Sequence, residues 1–72
     1  MTLGEYRVGI TFNPGGSETV NKIKRAAADL IELVSTVGEP NDGEVIRLRA
    51  LALTAFEEGA MWAVKAATKP AR

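Results

Sequence analysis

The 72-residue sequence predicts an all-α fold: an antiparallel helical hairpin with an N-terminal arm or short helix, assembled into a homo-oligomer. Two long segments repeat apolar residues at helical spacing, and a Gly-Glu-Pro break at 38–40 separates them. The second segment is apolar around most of its circumference, which indicates burial on more than one side. We therefore expect one domain over 1–72, with an arm and turn (1–16), a helix (17–36), a turn (37–41) and a second helix (42–68).

In the N-terminal arm, apolar residues alternate with smaller or polar ones: Tyr6, Val8, Ile10 and Phe12. This period of two predicts an extended strand with one buried face. No second strand-like run is present to pair with it, so we expect an arm that lies against helices, with a short helix as the alternative. The sequence Asn13-Pro14-Gly15-Gly16 then favours a break.

The first helix is predicted to start at Ser17, a good N-cap, with the negative charge of Glu18 at its positive end. Its apolar residues recur every three or four positions: Val20, Ile23, Ala27, Leu30, Ile31 and Val34. Gly38 and Pro40 are typical of a helix end, and Asn41 followed by Glu44 resembles a capping box that starts the second helix. The short connection predicts that the two helices are antiparallel neighbours.

Two ridges run along the second helix. One consists of small residues (Ala52, Ala55, Gly59, Ala63 and Ala66), and the other is bulkier (Leu53, Phe56, Ala60 and Val64). Two packing faces predict one contact within the hairpin and another between subunits, since small side chains let a second helix come close. A membrane span is the rival explanation, and two Glu and one Lys inside the run argue against it.

Composition favours self-association. A chain of this length seldom builds a core worth more than about 3–5 kcal/mol, and small domains make up the shortfall with disulfides, metals or partner subunits. With no Cys and no His, the sequence offers no disulfide and lacks the preferred zinc ligands. Nine basic residues balance nine acidic ones, which argues against long nucleic acid as a partner. Residues 1–8 have no apolar signal-peptide core, so we expect no secretion signal there.

The sequence offers little for catalysis. Without His or Cys, the usual general base and thiol nucleophile are missing. Adjacent carboxylates at Glu57 and Glu58 project about 100° apart on a helix, so a charged patch or an intersubunit salt bridge is favoured over a hydrolytic pair. We predict no catalytic residues, no metal site and no cofactor.

Groups suited to binding are present instead. Tyr6 offers a flat face for a base, although its periodicity alone favours packing of the arm. Lys22, Lys24 and Arg25 place three cations near the positive end of the first helix, where either an anion or solvent would face them. On the second helix a polar stripe either faces water or lines a cavity between subunits: Arg47, Thr54, Glu58 and Lys65.

Several motifs resemble a known family: Tyr6-Arg7-Val8, Phe12-Asn13-Pro14, the run Arg49-Ala50-Leu51-Ala52-Leu53-Thr54, and Ala60-Met61-Trp62-Ala63-Val64-Lys65-Ala66. The chain resembles small phage anti-CBASS proteins that sequester cyclic oligonucleotides, and more distantly the phage Thoeris-inhibiting sponges with the same hairpin domain. The resemblance covers nearly the whole chain. It implies a hexamer of helical hairpins in the cytoplasm of the infected bacterial host, which captures immune second messengers without degrading them and so blocks the CBASS effector.

The resemblance also implies site residues. Cyclic dinucleotides would bind between paired protomers, with Tyr6 stacking on a base and Lys22 meeting phosphate; Lys24 is the second choice for that lysine. Neighbouring arm residues would complete this site: Arg7, Phe12, Asn13 and Pro14. A second pocket for cyclic trinucleotides would involve Arg47, Arg49 and Thr54.

Three hypotheses remain open on the sequence. The first is a sponge for cyclic di- or trinucleotides, with cyclic ADP-ribose type signals as the alternative ligand. The second is a helical protein-interaction module whose small-residue ridge binds a partner helix. The third is a very small phosphodiesterase using Glu57 and Glu58, which the sequence supports least.

Overall fold

The computed structural model describes residues 1–71 and contains three helices: α1 (Leu3–Val8), α2 (Glu18–Val34) and α3 (Gly43–Thr68). Within those residues there is no strand. α2 and α3 form the hairpin, and α1 packs mainly against α2 with a smaller contact to α3. The all-helical prediction is confirmed.

The arm is helical, so the extended strand predicted from its period-two pattern is wrong and the short-helix alternative is right. Thr2 and Glu5 form a capping box: the Thr2 hydroxyl accepts from the Glu5 backbone N–H at 3.0 Å, and Glu5 Oε1 accepts from the Thr2 N–H at 2.8 Å. Gly9 ends the helix in the left-handed conformation, with φ of 64°. The local capping signals therefore outweigh the alternation of apolar residues.

α1 lies very close to α2 at one point. Gly4 is buried, and a Cβ atom built on it would overlap the backbone carbonyl of Ala28. The N–H of Gly4 lies in the first turn of α1, where a helix offers no backbone acceptor, and it donates to Glu32 Oε1 at 2.8 Å. Gly4 thus fixes where the arm sits on α2.

Both long helices begin at side-chain caps. The Ser17 hydroxyl accepts from the Val20 N–H at 3.2 Å, as the sequence indicates. For α3 the N-cap is Asp42, whose carboxylate accepts from the N–H groups of Glu44 and Val45 at 2.9 and 3.2 Å. The expected capping box between Asn41 and Glu44 is therefore wrong, since the aspartate one position later takes the N-cap role.

The core lies between the hairpin helices. Val20, Ala28 and Ile31 of α2 and Leu53 and Ala60 of α3 are buried, and Ala28 lies against Gly4 of α1. These two α3 residues belong to the bulkier ridge, which is thus the face used within the hairpin. On the small-residue ridge, Ala55, Gly59 and Ala66 are exposed.

The molecule is long and thin, with principal extents of 47 × 26 × 12 Å. Its radius of gyration is 13.8 Å, whereas a compact domain of this length would have about 11 Å. Along the described part of the chain, none of the helices is both long and apolar enough to cross a bilayer. A single chain therefore leaves more surface uncovered than a compact domain of its size.

Candidate functional site

Lys24 organises the loop that follows α1. Its side chain is only 6% exposed, and its ammonium donates to the backbone carbonyl of Gly9 at 2.9 Å and to that of Phe12. The same Nζ lies 5.4 Å from the centroid of the Phe12 ring. The Lys24 ammonium is therefore hydrogen-bonded to backbone carbonyls inside the chain, and its charge is directed away from solvent.

The segment Asn13–Pro14 is fixed by side-chain hydrogen bonds. The Asn13 amide donates to the Ser17 carbonyl at 2.7 Å and to Asn21 Oδ1 at 2.8 Å, and its oxygen accepts from the Ser17 N–H at 3.2 Å. This arrangement ties the loop to the start of α2. The Phe12 ring, 72% exposed, projects from it.

A pocket of about 340 Å³ lies between this loop and the end of α3. Phe12, Asn13 and Pro14 line one side, and Val20, Lys24 and Val64 contribute to the rest. Four of the predicted ligand-binding residues thus share one concave surface: Phe12, Asn13, Pro14 and Lys24.

Lys22 lies in a different, more open groove of about 650 Å³ along α2. Its side chain is 76% exposed, and among residues 1–71 its only ion-pair contact is a 3.8 Å approach to Glu18. Ile10 forms an apolar part of the groove wall, and Asn21 and Arg25 add polar groups. Of the two lysines considered for phosphate, Lys22 is the one that solvent reaches.

Arg25 is a further residue of this groove, and it could not be ranked above the neighbouring cations from the sequence alone. Its guanidinium bonds Glu5 Oε2 and Asp29 Oδ1, each at 2.8 Å. The hydrogen bond from Arg25, aided by the backbone N–H of Thr2, lowers the pKa of Glu5 to about 2. The pKa of Arg25 is raised, first by its hydrogen bond to Glu5 and second by its hydrogen bond to Asp29. The i, i+4 spacing to Asp29 was visible in the sequence, but the contact with Glu5 depends on how α1 docks.

Tyr6 and Arg7 point to different surroundings. The Tyr6 side chain is 75% exposed, and it is not among the residues that line the groove beside Lys22. The Arg7 Nε bonds Glu57 Oε1 at 2.9 Å in a partly buried ion pair that joins α1 to α3. Within one chain, Tyr6 and Lys22 therefore do not share that groove.

The residues predicted for the second pocket are divided between two faces of α3. Arg47 is exposed and bonds Glu44 one turn earlier, and Thr54 is exposed two turns further along the same face. Arg49 is turned inward, where its Nε and Nη2 donate to the Val37 carbonyl at 3.1 and 2.7 Å. Arg49 thus secures the hairpin turn, and a single chain does not bring it together with the other two.

The carboxylates considered for hydrolysis also diverge. Glu57 pairs with Arg7, and Glu58 accepts from the Trp62 indole N–H at 3.3 Å. Among the described residues there is no cluster of three or more acidic groups that could hold a metal ion. In this chain each of the two carboxylates has its own partner on a different side of α3.

These features define a small helical hairpin with a docked N-terminal helix and exposed polar grooves. The family model described as "Acb2/Tad1, hairpin domain" matches residues 5–68, which is most of the chain. The chain therefore belongs to the Acb2/Tad1 hairpin family, the family of the anti-CBASS and anti-Thoeris sponges of phages. Searches of curated proteins and of solved structures gave no significant match. Family membership implies a phage anti-defence sponge that binds cyclic nucleotide signals.

Proposed function

We propose that the protein is a homo-oligomer, a hexamer by analogy with the family, which binds cyclic di- or trinucleotide messengers and holds them without cleavage. In the cytoplasm of the infected bacterial host this capture would deprive the CBASS effector of its activating nucleotide. The observation that carries the proposal is the exposed cation Lys22 beside Arg25 in an open groove, in a chain that belongs to a sponge family.

Phosphate binding is assigned to Lys22, with Arg25 as a second donor. The contact between Lys22 and Glu18 is long, and both side chains are more than three-quarters exposed. Such a surface pair is worth about 0–1 kcal/mol, so a phosphate displaces Glu18 at little cost. Arg25 stays oriented by Glu5 and Asp29 while part of its guanidinium remains open to solvent.

Base stacking is assigned to the two exposed rings of the arm, Tyr6 and Phe12. Stacking of one base on an aromatic side chain is worth about 1–3 kcal/mol. Phe12 is the better preorganised ring, because Lys24 and Asn13 fix the loop that carries it. Tyr6 lies outside the Lys22 groove of its own chain, so it would serve a groove formed with another subunit.

A second pocket for cyclic trinucleotides would use the exposed pair Arg47 and Thr54. These residues share one face of α3, which is open to a further subunit. Arg49 would not contact the ligand, because its guanidinium stabilises the hairpin turn through its hydrogen bonds to the Val37 carbonyl.

A stoichiometric binder works by mass action and has no need of turnover. A cyclic dinucleotide carries two phosphates and two bases, and two symmetry-related chains offer a matching ring and cation twice. The ligand should therefore be recovered unchanged from the protein.

Isothermal titration of the full chain with a panel of cyclic dinucleotides, cyclic trinucleotides and cyclic ADP-ribose tests the proposal. A cyclic di- or trinucleotide should bind, and Lys22→Ala should weaken binding about 10–100-fold, because a hydrogen bond to a charged group contributes about 1.5–3 kcal/mol. Lys69→Ala is the matched control: it removes the same charge at the far end of α3 and should leave affinity within about twofold.

After heat release, mass spectrometry should find the nucleotide intact. A cleaved nucleotide would contradict sequestration and revive an enzyme. Binding of cyclic ADP-ribose alone would overturn the CBASS assignment in favour of a Thoeris signal. Absence of any nucleotide binding, with a specific protein co-purifying, would instead indicate an interaction module.

A further inference from the structure

One face of α3 has no partner within the chain. Six residues at spacings of three and four form what we call the outer stripe: Leu48, Leu51, Ala55, Gly59, Trp62 and Ala66. All six are exposed, with Leu51 and Trp62 at 55% and 60%, because α1 and α2 cover the opposite face of the helix. Large apolar side chains in a continuous row mark a docking surface rather than ordinary surface.

The surplus of exposed area matches one interface. The chain exposes 5145 Å², whereas a compact monomer of 7.7 kDa would expose about 4300 Å². The surplus of about 800 Å² equals the area that one partner contributes to a standard protein–protein interface.

The outer stripe is complementary to itself when it is reversed. If two copies of α3 lie antiparallel about a point near residue 57, Leu48 of one meets Ala66 of the other, and Leu51 meets Trp62. At the centre Ala55 meets Gly59, whose missing Cβ leaves open space on the surface. Leu48 thus faces a small residue, Leu51 and Trp62 form an apolar contact, and the smallest residues lie where the two backbones would come closest.

Charge favours the same orientation. The start of α3 carries Glu44, and its end carries Lys65 and the C-cap residue Lys69. Antiparallel pairing about residue 57 brings Glu44 of each copy beside Lys69 of the other and opposes the helix dipoles. A parallel pairing in register would instead place Glu44 beside Glu44 and Trp62 on Trp62.

We propose that a second copy of this chain docks on the outer stripe, with the two α3 helices antiparallel about a two-fold axis near residue 57. The contact is isologous, so each copy uses the same residues. The inference rests on the self-association in the proposed function and adds its interface and register.

Disulfide trapping tests the register, and the absence of native Cys makes the readout clean. The double variant Leu48→Cys/Ala66→Cys should oxidise to a covalent dimer, because residues 48 and 66 of opposite copies face each other. Within one chain the two positions are about 27 Å apart along the helix, far beyond the roughly 4.4–6.8 Å between Cα atoms that a disulfide needs. Each single variant should stay uncrosslinked.

Crosslinking of Leu48→Cys alone would indicate a parallel pairing, and failure of the double variant to crosslink would remove the interface. Either result overturns the inference. Ala50→Cys, at an exposed position of α3 outside the outer stripe, is the control and should also stay uncrosslinked.

A second variant tests the contact without oxidation. Gly59→Leu should lower the solution mass measured by ultracentrifugation and weaken self-association at least 10-fold, because the side chain fills the closest approach. The folded chain has room for it, so far-UV circular dichroism should keep its helical signal. Ala50→Leu adds a leucine side chain at an exposed position of α3 outside the outer stripe and should keep the wild-type mass. An unchanged mass for Gly59→Leu contradicts the proposed contact.

Nucleotide titration of the same samples separates the two proposals. If the double-Cys variant crosslinks but no nucleotide binds, the interface stands and the sponge function fails. If nucleotides bind to an oligomer that does not crosslink at these positions, the function stands and this interface fails.

Discussion

At the scale of single residues, Glu5 joins α1 to α2. One carboxylate oxygen accepts from the Thr2 backbone N–H, and the other bonds the Arg25 guanidinium, each at 2.8 Å. Both contacts favour the ionised carboxylate, which is why the pKa of Glu5 is lowered from 4.5 to about 2.

The lowered pKa of Glu5 predicts a specific pH dependence. A depressed folded-state pKa contributes stability above the unfolded pKa of 4.5, and this contribution is lost as the pH falls toward 2. Glu5→Gln should therefore be less stable than the wild type at neutral pH, and the difference between them should shrink as the pH falls from about 4.5 to 2. Urea unfolding at fixed protein concentration measures this difference.

Arg25 is the largest contributor to the lowered pKa of Glu5. Measuring the effect of Glu5→Gln in an Arg25→Gln background therefore tests whether the ion pair causes the pH dependence. There the effect of Glu5→Gln at neutral pH should be smaller and should vary less as the pH falls from about 4.5 to 2. A difference between wild type and Glu5→Gln that does not vary with pH would be inconsistent with the ion pair.

The two lysines of α2 show why site residues are hard to assign from sequence. Lys22 and Lys24 have the same chemistry and lie two positions apart. They differ in their contacts with the docked arm. Lys24 donates to the carbonyls of Gly9 and Phe12, whereas Lys22 faces solvent. Such contacts span 12 to 15 positions of the chain and leave no local signature.

At the scale of elements, α1 depends on the absence of a side chain at Gly4. Gly4→Ala would normally favour a helix by about 1 kcal/mol. Here the new Cβ would overlap the Ala28 backbone, which has no flexible end to move aside, so we expect a net loss of about 1–3 kcal/mol. Urea unfolding gives the loss, and faster amide exchange confined to residues 3–8 would show that α1 has detached.

Gly43→Ala is the matched control. Gly43 is also the first-turn glycine of a helix, but an added Cβ there meets nothing within 4 Å. This variant should not lower stability. If Gly4→Ala proved as harmless as Gly43→Ala, the close docking of α1 on α2 would be wrong.

The long elements could be predicted because their signals are local. Helical spacing and the Gly38–Pro40 break indicated α2 and α3, and the Ser17 cap is where the sequence placed it. For α1, the alternation of Tyr6, Val8, Ile10 and Phe12 was misleading, although Thr2 and Glu5 already formed the pattern of a capping box. In a segment this short, one cap decides the conformation, and alternation over four residues has too few repeats to compete.

At the scale of the whole molecule, the core is too small for the surface it has to stabilise. In the described part of the chain, five apolar side chains are buried and twelve large apolar residues are at least 40% exposed. A rod of 47 × 26 × 12 Å cannot enclose both faces of α3. We therefore expect partner copies to contribute to the stability of the fold as well as to the proposed binding site.

This dependence predicts that unfolding varies with protein concentration. For a dimer, a 100-fold dilution removes about 2.7 kcal/mol of stabilisation by mass action. For an assembly of about 150 residues, each kcal/mol changes Tm by roughly 2–4 °C, so Tm should fall by roughly 5–10 °C.

Differential scanning fluorimetry followed through Trp62 measures the change, because the indole lies in the outer stripe. The Tm of Gly59→Leu, in which the contact is blocked, should depend less on protein concentration than the Tm of Ala50→Leu. A Tm that stays constant over the whole dilution series would mean that a single chain is stable alone, because only a folded state shared between copies loses stability on dilution.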